Sequence, residues 1–164
     1  MKTLFKPLLT CLITAGALAA PQALAADIKP RLIRFGYGLA EDSNQGRAVK
    51  LFADEVAKRS GGKLKVKGFG SASLGNDVQM QNALIGGAQE MMVGSTATLV
   101  GVEKDFGVYD LPFLFSNEKE ADTVLDGPFG QKLIARLPAK GLVGLTYWEN
   151  GFRNVTNTKR PITR

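Results

Sequence analysis

The chain has 164 residues, 45% apolar and 22% charged, with 21 basic against 15 acidic side chains, a formal net charge of +6 and no histidine. These figures suit one globular domain, or part of a larger one, and exclude a disordered chain. The missing histidine rules out a Ser-His-Asp triad, and with a single cysteine it also rules out an ordinary zinc or copper centre.

Lys2 and Lys6 open the chain, an apolar run follows from Leu8 to Ala20, and Ala23-Leu24-Ala25 gives a small-x-small pattern. This reads as a signal peptide over residues 1–25, cut after Ala25, with the mature protein in the bacterial periplasm. A membrane span is the weaker reading: the run is shorter than the roughly 20 apolar residues a span needs, and Pro21 interrupts it. Cys11 leaves with the leader, so the mature chain holds no thiol. A lipid anchor at Cys11 is disfavoured by Leu8-Leu9-Thr10 before it. Loss of Lys2 and Lys6 lowers the basic excess by two.

Leu32 to Tyr37 reads as a first strand, ended by Gly38. The polar loop 41–44 leads to a helix with Ala48, Leu51, Phe52 and Val56 at inward spacing, capped by Ser43 or Asn44 and stopped by Ser60-Gly61-Gly62. Lys63 to Phe69 reads as a second strand, with Lys63, Lys65 and Lys67 on its wet face. A glycine-rich turn, 70–75, precedes a helix capped by Asn76 or Asp77 and carrying Val78, Met80, Ala83 and Leu84. Met91-Met92-Val93 is a short apolar strand opening into Gly94-Ser95-Thr96-Ala97-Thr98.

The apolar stretch Tyr109 to Phe115 is expected mostly in the core, as is Trp148. Asn117 with Glu120 resembles a capping box for a helix to Leu125. A second helix is expected from Phe129 to Leu137, and an apolar strand from Gly141 to Trp148. Strand–helix alternation implies an α/β fold with a mostly parallel sheet flanked by helices. Ligands of such sheets sit beyond the carboxyl ends of the strands, here the loops at Tyr37-Gly38, Gly70-Ser71, Gly94-Ser95-Thr96 and Asn150-Gly151-Phe152-Arg153.

No dinucleotide fingerprint or phosphate loop is present: Gly36-x-Gly38 is followed by Glu41 where the fingerprint wants glycine. The carboxylates Glu41-Asp42, and Glu118 with Glu120 and Asp122, read as solvated helix starts or faces rather than acid–base pairs. The spread of basic charge without interleaved aromatics argues against nucleic acid. Arg153 has two readings, a carboxylate clamp or a loop tie to Glu149. Ser95, Thr96 and Thr98 are pocket hydroxyls or a helix cap.

Taken in order, Arg34-Phe35-Gly36-Tyr37-Gly38, Leu51 to Val56, Ser60-Gly61-Gly62-Lys63, Ser73 to Asp77, Tyr109 to Phe115 and Trp148 to Asn157 resemble the DctP-type solute-binding proteins of tripartite ATP-independent periplasmic (TRAP) transporters. The resemblance implies a periplasmic-binding-protein-like lobe of a two-lobed protein. Such a protein closes on a small-molecule carboxylate and delivers it to TRAP membrane permease subunits. It implies no enzyme activity, cofactor, metal or nucleic-acid partner, and no membrane span after cleavage of the leader. Arg153 matches the arginine of the Asn-Gly-x-Arg segment that lies near the carboxylate. Tyr37, Ser95, Thr98 and Asp77 are the other implied substrate-binding residues.

The expected organisation is a leader at 1–25, an N-terminal α/β lobe at 26–150 and the start of a crossover at 151–164. The family's second lobe, and its principal clamping arginine in a Lys-x-Arg-Val segment, have no counterpart here. The chain is therefore read as truncated, with a remnant or an interaction-only lobe as the alternative to a ligand carrier. A periplasmic enzyme is the third reading, disfavoured by the missing His and Cys.

Overall fold

A computed structural model describes residues 28–152 and 154–162. The expected leader, with Cys11, and the candidate Arg153 lie outside the described residues.

Three strands form one parallel sheet in the order β2-β1-β3. β1 is Arg31–Tyr37, β2 is Leu64–Phe69 and β3 is Met91–Val93. Arg31 pairs with Leu64 and Gly36 with Phe69 on one side, and Phe35 with Met91 and Tyr37 with Val93 on the other. β1 is thus central and buried over its last three residues. β2 keeps its lysines wet: Lys65 and Lys67 are exposed while Leu64 and Val66 turn inward.

Helices cover both faces, as parallel strands require. α1, Asn44–Arg59, starts where the Ser43 side chain accepts the Gly46 N–H, and it ends on basic Lys58 and Arg59, which suit the negative end of the helix dipole. Its Val49 and Phe52 pack on Phe35 and Tyr37. The inward face runs through Val49 and not through Leu51, which is 68% exposed. Leu51 lies two residues from Val49, about 200° around a helix, which carries it to the opposite side.

α2, Asp77–Ile85, covers the other face. Asn76 and Gln79 form a reciprocal capping box, each side chain accepting the other's backbone N–H. Fully buried Met80 lies against Gly36: a Cβ there would stand 2.5 Å from the Met80 sulfur and 2.7 Å from Gln89 Nε2. Glycine at this point of β1 is what lets α2 approach.

A second cluster of buried residues, Phe106, Leu133, Leu137 and Leu142, lies beside the sheet unit. It joins α3 (Thr96–Leu99), a 3-10 segment at Lys104–Asp110, α5 (Pro128–Ile134) and a 3-10 turn at Leu137–Lys140, and α4 (Glu118–Asp126) packs against α5. Tyr147 ties this cluster together: its hydroxyl donates to the Gly130 carbonyl at 3.0 Å and lies 3.3 Å from the Tyr109 hydroxyl.

Four expectations need correction. α5 ends at Ile134 rather than Leu137, because Pro138 cannot continue it and a 3-10 turn takes over. The segment from Gly141 to Trp148 forms no ladder. β1 has a partner on each side, and among the described residues the outer edges of β2 and β3 stay unpaired; the segment meets the sheet through its side chains, with the Trp148 ring 6.0 Å from Phe35. Trp148 is half-buried, as expected of a core-side ring. The Tyr109 to Phe115 stretch is only partly core: Leu111 and Leu114 are exposed and Phe113 is 102% exposed, on a backbone with φ 58°. Pro112 forbids the helical turn that would fold these side chains inward. The Asn117 cap is present, but Glu120 accepts the Ser116 N–H, not that of Asn117.

Candidate functional site

The carboxyl ends of the three strands lie side by side, and two backbone bonds hold their loops together. Ala72 N–H donates to the Tyr37 carbonyl at 3.1 Å, and Ser71 N–H to the Leu39 carbonyl at 2.7 Å. The loop after β1 is thereby fixed to the loop after β2. Ser71 and Ala72 both sit in the left-handed region, φ 54° and 53°. Non-glycine residues adopt that conformation only where surrounding structure holds them there, and such residues concentrate at functional rims.

The loop after β3 is fixed by a side chain instead. Asp77, in the first turn of α2, accepts the Ser95 N–H on Oδ2 at 2.8 Å. Gly94 makes room for it: a Cβ there would lie 3.1 Å from the Asp77 carboxyl carbon and from Oδ2. Gly38, at the end of β1, faces the other oxygen, Oδ1, at 3.7 Å from a Cβ built on it. One carboxylate therefore stands between the ends of β1 and β3, flanked by two glycines.

Ser95 and Thr98 start α3. The Ser95 hydroxyl accepts the Ala97 N–H at 3.2 Å, and the Thr98 hydroxyl donates to the Ser95 carbonyl at 2.8 Å. The cap is therefore made. A hydroxyl that accepts still has its own proton to donate, and one that donates still has lone pairs, so both retain capacity for a solute.

Tyr37 is 3% exposed and packs with Phe35 and Val49. Its ring lies beneath Gly68 and Gly70, where a Cβ would approach within 3.3 Å and 2.9 Å respectively. Burial first, and Glu41 second, raise its pKa above the usual phenol value. Tyr37 is thus the floor under the rim, Asp77, Ser95 and Thr98 are its wall, and Arg153 is outside the described residues. The fourth expected loop, at 150–153, does not follow a ladder strand.

Sequence reasoning named the loops by the rule that ligands gather at carboxyl strand ends. It missed the left-handed pair Ser71-Ala72, whose residue types give no sign of positive φ, and the acceptor role of Asp77 toward a residue 18 positions away. Away from the rim, a groove of about 490 Å³ is lined by Lys104, Leu111, Phe129, Lys132 and Arg136 among others. Arg136 there is paired with Glu103 and Asp105. Among the described residues no cluster of acidic side chains could hold a metal ion, and no helix is long and apolar enough to cross a membrane.

Residues 35–164 match the family described as "Bacterial extracellular solute-binding protein, family 7", DctP. The chain is 38% identical over 130 residues to the 2,3-diketo-L-gulonate-binding periplasmic protein of Escherichia coli K12, covering 79% of this chain and 40% of that protein. It is 32% identical over 162 residues to the C4-dicarboxylate-binding periplasmic protein DctP of Rhodobacter capsulatus, covering 98% and 48%. Among solved structures, the sugar acid binding protein DctPAm of Advenella mimigardefordensis, in complex with galactonate, is 61% identical with a TM-score of 0.79 over 82% of this chain and 43% of its own. The chain spans less than half the length of these relatives.

Proposed function

The chain belongs to family 7 of the bacterial extracellular solute-binding proteins, and from that premise we propose that it takes part in capturing an organic acid in the periplasm for delivery to TRAP membrane permease subunits. The observation that carries the reading is the 61% identity to a protein crystallised with galactonate. A sugar acid is accordingly the favoured ligand. The rim chemistry supports this choice, since hydroxyls and a carboxylate at strand ends suit a solute rich in hydroxyl groups.

In this reading Arg153 holds the ligand carboxylate, Asp77, Ser95 and Thr98 meet its hydroxyls, and Tyr37 supports them from below. Residues 1–25 act as an export leader, 26–150 as the N-terminal lobe and 151–164 as the start of a crossover. The protein carries solute and catalyses nothing, and it needs no cofactor, metal or nucleic acid.

The test is a circular-dichroism melt of the chain from Ala26 onward, alone and with galactonate, malate, succinate, pyruvate, lactate or sialic acid. A ligand that prefers the native state raises the melting point. An upward shift with a sugar acid supports the reading, and a cooperative melt that no acid moves removes it for this chain. A second reading, a lobe that acts only by packing on another surface, is favoured by the exposed Leu111, Phe113 and Leu114. The unmoved melt is its expected outcome.

A further inference from the structure

We infer that Asp77 is the specificity-determining residue of this site and that it selects polyhydroxylated monocarboxylates over dicarboxylates; the inference rests on the reading that the rim binds an organic acid. Asp77 divides its two oxygens between two tasks. Oδ2 is committed to the Ser95 N–H at 2.8 Å. Oδ1 has no hydrogen-bond partner among the described residues, and glycine at position 38 leaves no side chain over it from β1.

The bond to Ser95 matters because it fixes the carboxylate. A free aspartate turns away from an unwelcome neighbour, but one held by a backbone N–H and wedged beside Gly94 keeps its free oxygen where it is. An ionised carboxylate only accepts. A ligand hydroxyl placed against Oδ1 donates to it, in a charge-assisted bond. A second ligand carboxylate placed there brings like charges together with no proton between them. Ser95, which caps α3, and Thr98, in its first turn, extend the same preference, because their hydroxyls can exchange hydrogen bonds with other hydroxyls.

The experiment is isothermal titration of the chain, and of Asp77→Asn, with galactonate and with succinate. The unaltered chain is expected to bind galactonate at least about tenfold more tightly than succinate, and Asp77→Asn to reduce that ratio by about tenfold. The amide removes the charge and can offer an N–H in place of the free oxygen. A merely structural role would weaken both acids together and leave the ratio unchanged, and that result overturns the inference while leaving the binding site standing. Failure of the unaltered chain to bind either acid overturns both. If Asp77→Asn does not melt cooperatively, Asp77→Glu decides: it keeps the charge and should keep the ratio within about threefold. A ratio that falls further overturns the inference.

Discussion

The Asp77 carboxylate accepts the Ser95 backbone N–H at 2.8 Å and so joins the first turn of α2 to the loop that leaves β3. The bond spans 18 residues of sequence and shapes the edge of the candidate site. Asp77→Ala removes the acceptor and leaves the loop to solvent. The expected loss is about 1 kcal/mol, the value of an ordinary hydrogen bond and below that of a buried bond to a charged group, because this one is exposed. Urea melts of the two proteins measure it, and identical midpoints would contradict the tether.

Glu90 gives the fold an acid-sensitive clasp. Arg34 Nε and Nη2 each reach a Glu90 oxygen at 3.0 Å, the Arg34 N–H donates to Oε2 at 2.9 Å, and Nη2 also reaches the Ala88 carbonyl at 2.6 Å. The side-chain bonds from Arg34, then its backbone N–H, lower the Glu90 pKa from 4.5 to about 2. A carboxyl depressed on folding stabilises the native state above its unfolded pKa, and that contribution fades as pH falls toward the folded value. The melting point should therefore drop between pH 4.5 and about 2. Glu90→Gln should flatten the slope in that window and lower stability at neutral pH. A variant with the same slope as the parent would rule out the clasp as its origin.

The three tyrosines report on the alkaline side. Burial is the leading cause that raises Tyr37, Tyr109 and Tyr147 above the usual value of 10, and the Tyr109 hydroxyl raises Tyr147 further. A phenol raised on folding stabilises the native state below its unfolded pKa and loses that contribution as pH climbs through the folded value. Phenolate absorbance of the native chain should therefore appear only above pH 10, with all three side chains released together on unfolding. A tyrosine that titrates at its ordinary value in the folded chain would contradict the packing described.

Gly130 sits in α5 directly against the Leu125 carbonyl at the end of α4, so a Cβ there meets backbone rather than a movable side chain. Gly130→Ala is expected to lose about 1–3 kcal/mol, the range for overpacking. Gly101→Ala is the control: its Cβ would find only the Thr98 carbonyl at 3.7 Å, an ordinary contact. Its change should stay within about 0.5 kcal/mol in the same denaturant titration. Equal losses in the two variants would show that backbone freedom, and not the Leu125 contact, sets the effect.

What the sequence revealed was local. The caps at Ser43, Asn76 and Asn117, the alternation of Lys65 and Lys67 with Leu64 and Val66, and the glycine stops all depend on neighbours within four residues, and each was readable. What stayed hidden depends on distant partners. Nothing in Gly141 to Trp148 says that it will pair with none of the three strands. Nothing in Leu111 to Leu114 says that these apolar side chains will stay outside. At the site the loops were legible from topology; the burial of Tyr37 was not, since the resemblance implies a substrate-binding residue there and its sharing a face with Phe35, toward α1, shows only in the packing. The Asp77–Ser95 bond needed coordinates.

The exposed ring of Phe113 separates two properties often treated as one. A side chain that touches nothing contributes nothing to the folding equilibrium, so its removal leaves the melting point in place. The same ring, beside Leu111 and Leu114, is sticky toward other molecules. A polar residue at position 113 is therefore expected to raise the concentration at which solutions turn cloudy and to leave the melting point where it is.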